Sequence, residues 1–147
     1  MSAFSNAFET ALLGLLFTNT NAANVGDATG LRGSTGAGSF HFGLHSSSPG
    51  EAGDQTTNEI SYTGYGRVAV ARAGAQWTVA GDTVDNDNAI TFGACTAGSD
   101  TASHVSVGSD ASGVGNLFML GAVGSSLAIS SGVTPEFAAG AFDFTLD

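Results

Sequence analysis

The sequence predicts a mainly β protein, an antiparallel β-sandwich of jelly-roll or Ig-like type with one N-terminal α-helix and two long loops. Three observations predict it. Glycine contributes 22 of 147 residues and serine and threonine are abundant, a composition suited to short strands and many turns. Apolar residues alternate with small polar ones over several short runs separated by turn signals. Only the N-terminal segment carries helical spacing instead. The length fits one ordinary domain, 1–147, with a helical arm over 1–17, an extended loop over 18–38 and the sandwich over 39–147.

From Phe4 to Phe17, the residues Phe4, Phe8, Ala11, Leu12, Leu15 and Leu16 recur at three- and four-residue steps, and Asn6 and Glu9 are spaced as a capping pair. This apolar stripe is more than a free arm could leave in water, so the helix is expected to cover the β core or another subunit. Thr18 to Gly38 has no periodicity and reads as a long loop, one that a neighbouring subunit would order. Phe40, Phe42 and Leu44 then alternate with His41, Gly43 and His45, a half-buried strand that turns its histidines toward solvent or an interface. Ser46 to Ile60, with Pro49-Gly50, is the second long loop.

Arg67 to Arg72 is expected to run extended, Trp77 and Val79 to alternate with Thr78 and Ala80, and Gly81-Asp82 to close a tight hairpin. Ile90, Phe92 and Ala94, and then Val105 and Val107, mark further strands. Asn116 to Val123 is apolar on both alternating sets, which suits a central strand or one that meets another subunit. Phe142, Phe144 and Leu146 point one way and tie the C-terminus into a sheet.

Charge excludes one class of partner. A formal charge of −10, with no lysine and three arginines, argues against nucleic acid, whose binding draws on cations that neutralise phosphates. The apolar run Ala11 to Phe17 is far short of the roughly 20 residues needed to cross a bilayer, and no cation precedes it as in a signal peptide, so no membrane partner is expected. Cys95 is alone and reads as a small buried thiol.

Catalytic and metal patterns are sparse. His41 and His45 sit four residues apart on a strand, about 13 Å, too far for one zinc ion. Asp82, Asp85 and Asp87 lack the glycine and distal glutamate of a calcium loop and read as a hydrated turn. No Gly-x-Ser-x-Gly elbow and no phosphate loop ending in lysine occurs. No enzyme and no cofactor is expected. Arg67 and Arg72, five apart and on opposite strand faces, do not form one anion pocket and read as ion-pair anchors to local or neighbouring carboxylates. Tyr62, Tyr65 and Trp77 could stack on a sugar, but core and turn roles explain them more simply. The candidate interface residues are therefore Phe4, Phe8, Leu12 and Leu15 on the helix, with Arg32, Arg67 and Arg72.

The segments Phe42-Gly-Leu-His-Ser-Ser-Ser-Pro-Gly-Glu-Ala-Gly53, Ser61-Tyr-Thr-Gly-Tyr-Gly-Arg-Val-Ala-Val70, Ser103-His-Val-Ser-Val107, Gly115-Asn-Leu-Phe-Met-Leu-Gly-Ala122 and Gly132-Val-Thr-Pro-Glu-Phe-Ala-Ala-Gly-Ala-Phe-Asp-Phe-Thr-Leu146 resemble a family of small tailed-bacteriophage proteins, often labelled tail fibre or virion structural protein. Relatives tend to carry an acidic residue where this chain has Ser48, and many have a shorter loop than Thr18 to Gly38. The resemblance implies a non-enzymatic virion component, assembled in the bacterial host cytoplasm. By fold-level analogy, the first reading is a capsid cement or decoration protein that binds the major capsid protein or another virion protein and copies of itself, with a trimer favoured. The alternative is a tail fibre or adaptor module that binds a host glycan or another tail protein.

Overall fold

The structure, a computed structural model, describes residues 4–146. It is mainly β with a single helix. The elements run α1 (Asn6–Phe17), β1 (Ser39–His45), β2 (Val68–Ala71), β3 (Trp77–Ala80), β4 (Thr83–Asn86), β5 (Ile90–Thr91), β6 (Ser99–Gly108), β7 (Leu117–Ser130), β8 (Glu136–Phe137) and β9 (Asp143–Thr145). They form sheets of order β2-β1-β6-β7, β3-β4-β9 and β5-β8. The β1–β6, β6–β7, β3–β4 and β4–β9 pairs are antiparallel. The chain divides into two compact units, one of Met1–Gly38, Ala71–Ile90 and Phe137–Asp147 and the other of Ser39–Val70 and Thr91–Glu136.

In the first unit, α1 begins one residue earlier than its expected cap. Ser5 is the N-cap, in extended conformation, and its side chain accepts from the Phe8 N–H at 3.4 Å, so Asn6 is already the first helical residue. The buried stripe is Glu9, Leu13 and Phe17, at steps of four. Phe8, Leu12 and Leu15 flank it half-buried, and Phe4 is 52% exposed. Phe17 meets Trp77 edge-on at 5.0 Å between ring centres and lies 6.2 Å from Phe144. Trp77, 2% exposed, also meets Phe142 at 6.1 Å and donates its indole N–H to the Ala71 carbonyl at 2.9 Å. The β3–β4 hairpin turns through Gly81-Asp82 as the sequence predicts, with Gly81 at φ 66°. Buried Asn86 donates to the Ala138 carbonyl and accepts from the Phe142 N–H, both at 2.9 Å, fastening the C-terminal segment.

The 18–38 loop is organised by its own polar groups, where the sequence suggests a neighbour. Asn19 brackets Ser34 with two hydrogen bonds, Asn21 accepts from Gly33, and Asp27 caps the turn at Thr29 and Gly30. An isolated antiparallel bridge, Ala22 to Leu31, closes it. Local side-chain to backbone bonds of this kind leave no hydrophobic period to read.

In the second unit, β1 is an interior strand between β2 and β6, with Phe42, Leu44 and His45 all buried. Burial on both faces corrects the solvent-facing reading of His45, which is 0% exposed. Gly64, at φ 105°, crosses Gly93 so closely that a β-carbon on Gly64 would lie 2.1 Å from the Ala94 carbonyl oxygen, and one on Gly93 1.9 Å from the Gly64 carbonyl oxygen. Only glycine fits that crossing. The apolar run Asn116 to Val123 enters β7, which ends the four-stranded sheet and is an edge. Its register against β6 shifts between Ala102 and His104 and between Val107 and Gly108, so β7 carries bulges.

Candidate functional site

In the second unit, Glu59, Tyr65 and Arg67 meet in one polar network. Arg67 forks onto Glu59, Nε to Oε1 at 2.7 Å and Nη2 to Oε2 at 2.8 Å. The remaining donors reach the Asp110 and Gly113 carbonyls at 3.0 and 2.9 Å. The Arg67 side chain is 2% exposed, and the Glu59 bond, first among its neighbours, pushes its pKa up. The Tyr65 hydroxyl donates to Glu59 Oε1 at 2.8 Å and accepts from the Leu44 N–H at 3.0 Å, and burial pushes its pKa far up. One carboxylate thus orders an arginine and a tyrosine.

His45 lies beside this network. Its Nδ1 is 2.9 Å from the Thr57 carbonyl, an acceptor only, so Nδ1 carries the proton and Nε2 accepts from the Ser106 hydroxyl at 2.7 Å. A histidine bonded to a serine has the outline of a nucleophile pair. Ser106 is 1% exposed, however, and the pair has no face open to a substrate. The arrangement joins the 46–67 segment to β1 and β6.

Burial, the largest influence, lowers the His45 pKa; the Thr57 hydrogen bond and the Glu59 charge oppose it, and the Arg67 and His104 charges add to it. The unfolded chain therefore takes up a proton below the ordinary value of 6.5 while the folded chain resists it. The stability present above pH 6.5 is lost as pH falls toward the folded pKa. We expect the melting temperature of the wild type to decline from pH 7 to pH 5 more steeply than that of His45→Gln, measured by circular dichroism. Parallel slopes would remove His45 as the cause.

The other cations act separately. Arg72 donates to the Leu15, Leu16 and Ala37 carbonyls. It thereby supplies a positive charge to the C-terminal end of α1, whose own last turn has none. Arg32 is exposed. Among the described residues, no three His, Cys, Asp or Glu side chains converge as metal ligands, and Cys95 is buried. No described helix is long and apolar enough to cross a membrane. Tyr62 and Trp77 are 7% and 2% exposed, Tyr62 donates to the Gly93 carbonyl, and Tyr65 stacks on Phe92, so these aromatics present no open platform.

Sequence reasoning singled out Arg67 and Tyr65 without their partner Glu59, and His45 without its partner Ser106. A carboxylate eight residues before Arg67 in a loop has no period that would announce it. His41, half-buried on β1, keeps a buried Nδ1 without a hydrogen-bond partner among the described residues.

Exposed apolar surface collects elsewhere. Of the described large hydrophobics that are exposed, Phe118, Leu120 and Leu127 lie on β7 and Val114 three residues before it, the others being Phe4 and Leu31. A cavity of about 260 Å³ lies beside the strand, lined by Glu51, Leu117, Phe118, Met119 and Leu120.

Comparison with protein families gives a match over nearly the whole chain. The family model described as Podophage GP4 fiber I protein gp80 aligns with residues 3–145. No curated protein matches the chain.

Proposed function

The chain belongs to the podophage GP4 fiber I protein gp80 family, a structural family of the phage virion, and on that premise we propose that it is a tail-fibre subunit that works by binding other virion proteins and copies of itself. The observation that carries the reading is the extent of the match, which takes in both compact units. Of the two roles the sequence suggests, the family name favours the fibre over capsid cement. A non-enzymatic role is supported by the His45–Ser106 and Glu59–Arg67 groups, which satisfy one another inside the second unit. The glycan version of the fibre reading loses Tyr62 and Trp77 to the core and Tyr65 to its bonds with Glu59 and Leu44, so protein contacts are the chemistry favoured here.

Fractionating the particle tests this. When purified virions are sheared and separated into heads and tails, antibody labelling and mass spectrometry are expected to find the chain with tails or detached fibres. Recovery only on DNA-filled heads would return the cement reading in its place.

A further inference from the structure

We propose that the open edge of β7 and the apolar side chains beside it form the surface on which a second copy of this chain docks. The inference deepens the fibre reading and rests on it for the repetition of subunits.

An edge strand exposes a row of backbone N–H and C=O groups that another strand can complete, and folded proteins blunt such edges with lysine, proline, inward charge or bulges. Of these β7 carries only the bulges, which leave its paired runs open. From Ala111 to Pro135 the sequence runs 25 residues without a charged side chain, in a chain of net charge −10. Two copies repel each other wherever their carboxylates approach, and this run is where they meet without that cost. A basic partner would instead be drawn to the carboxylates elsewhere, so the uncharged edge suits the chain itself. Glu51, at the rim of the cavity beside Leu117 to Leu120, is the one carboxylate lining that cavity.

Area makes a further demand on the interface. The 14 residues of β7 reach at most roughly 46 Å at about 3.3 Å each. At a sheet thickness of roughly 10 Å the edge alone offers on the order of 460 Å², short of the about 800 Å² per partner of a standard interface. Strand pairing must therefore be joined by burial of exposed side chains, and Leu120 and Leu127, at 36% and 39% exposure, are placed for it. Phe118, 52% exposed, is already held edge-on against Phe40 at 6.0 Å and presents a fixed ring. The bulges leave two regularly paired runs, Met119–Ala122 and Leu127–Ser130, each carrying one of the two leucines.

Sedimentation equilibrium of the full chain is the test. The wild type is expected to assemble as a dimer or larger oligomer at micromolar concentration, and the Leu120→Glu/Leu127→Glu variant to weaken assembly at least 100-fold. Ala28→Glu, exposed on the 18–38 loop, should assemble like the wild type. Hydrogen exchange of the wild type guards against a misfolded variant, because β7 amides should slow as concentration rises. A wild type that stays monomeric at about 100 µM, a double variant that assembles unchanged, β7 amides indifferent to concentration, or assembly only on addition of another tail protein would each overturn the proposal. Those outcomes leave the location of the chain on the particle untouched, since fractionation decides that separately.

Discussion

Arg67→Ala is expected to lower the unfolding free energy by about 2–3 kcal/mol, less than the cost of stranding a fully buried charge because the Glu59 side chain keeps 17% exposure. The loss arises because Glu59 would keep its charge with only Tyr65 against it, while the Gly113 carbonyl loses the Arg67 donor and the Asp110 carbonyl keeps only Gln55. Against a typical total of about 5–15 kcal/mol, this is a large share of the fold. Arg67→Lys should restore only part of it, because a point charge cannot fork onto both carboxylate oxygens. Adding Glu59→Gln to Arg67→Ala should recover stability, since it removes the stranded charge. Urea denaturation measures all three. A loss below about 1 kcal/mol for Arg67→Ala would mean the fork behaves as an exposed surface pair.

Trp77→Ala is expected to cost about 3–5 kcal/mol and to lower the melting temperature by roughly 10–20 °C. The indole fills the space between Phe17 and Phe142 and holds the Ala71 carbonyl, so its removal opens a cavity and frees an acceptor together. The same variant separates packing from recognition. A Trp77→Ala protein that melts like the wild type yet fails to bind a host glycan would restore the sugar-stacking role. Lower stability, read by calorimetry, with no glycan contact in either protein agrees with the core position.

The two substitutions fall in different compact units, Trp77 in the first and Arg67 in the second. Each unit is secured by a few polar side chains that reach the backbone of distant segments. Asn86 holds Ala138 and Phe142, Arg72 holds the end of α1, and Gln55 accepts from the Asp110 N–H at 2.9 Å. In a chain with few charges, such bonds take the place of surface ion pairs. They also explain why long segments without strands are ordered.

Periodicity was enough for much of the secondary structure. The alternation of Phe40, Phe42 and Leu44, the Gly81-Asp82 turn and the helical run to Phe17 each depend on neighbours in sequence, and each appears where local spacing places it. The helix face was legible only to within one position. Leu12 and Leu15 satisfy the same spacing as Leu13 and Phe17, and only the partners Trp77 and Phe144 choose between the two stripes. His104 to Val107 was readable as a strand, whereas its start at Ser99 was not, because Gly98-Ser99-Asp100 carries turn residues.

The sequence by itself determined the class of this protein: short antiparallel strands, one terminal helix, a strongly acidic charge, and a resemblance to phage structural proteins that the family match bears out. Those features rest on composition, period and local motif, which every folded arrangement of the chain must share. Tertiary structure alone decided that His45 is buried, that Glu59 is the partner of Arg67, and that the apolar run into β7 is an edge with Phe118 and Leu120 in solvent. The physical reason is common to all three. A side chain's burial and partner depend on which distant segment covers it, and a strand that is apolar on both faces reads the same whether its neighbour lies in the same chain or in another.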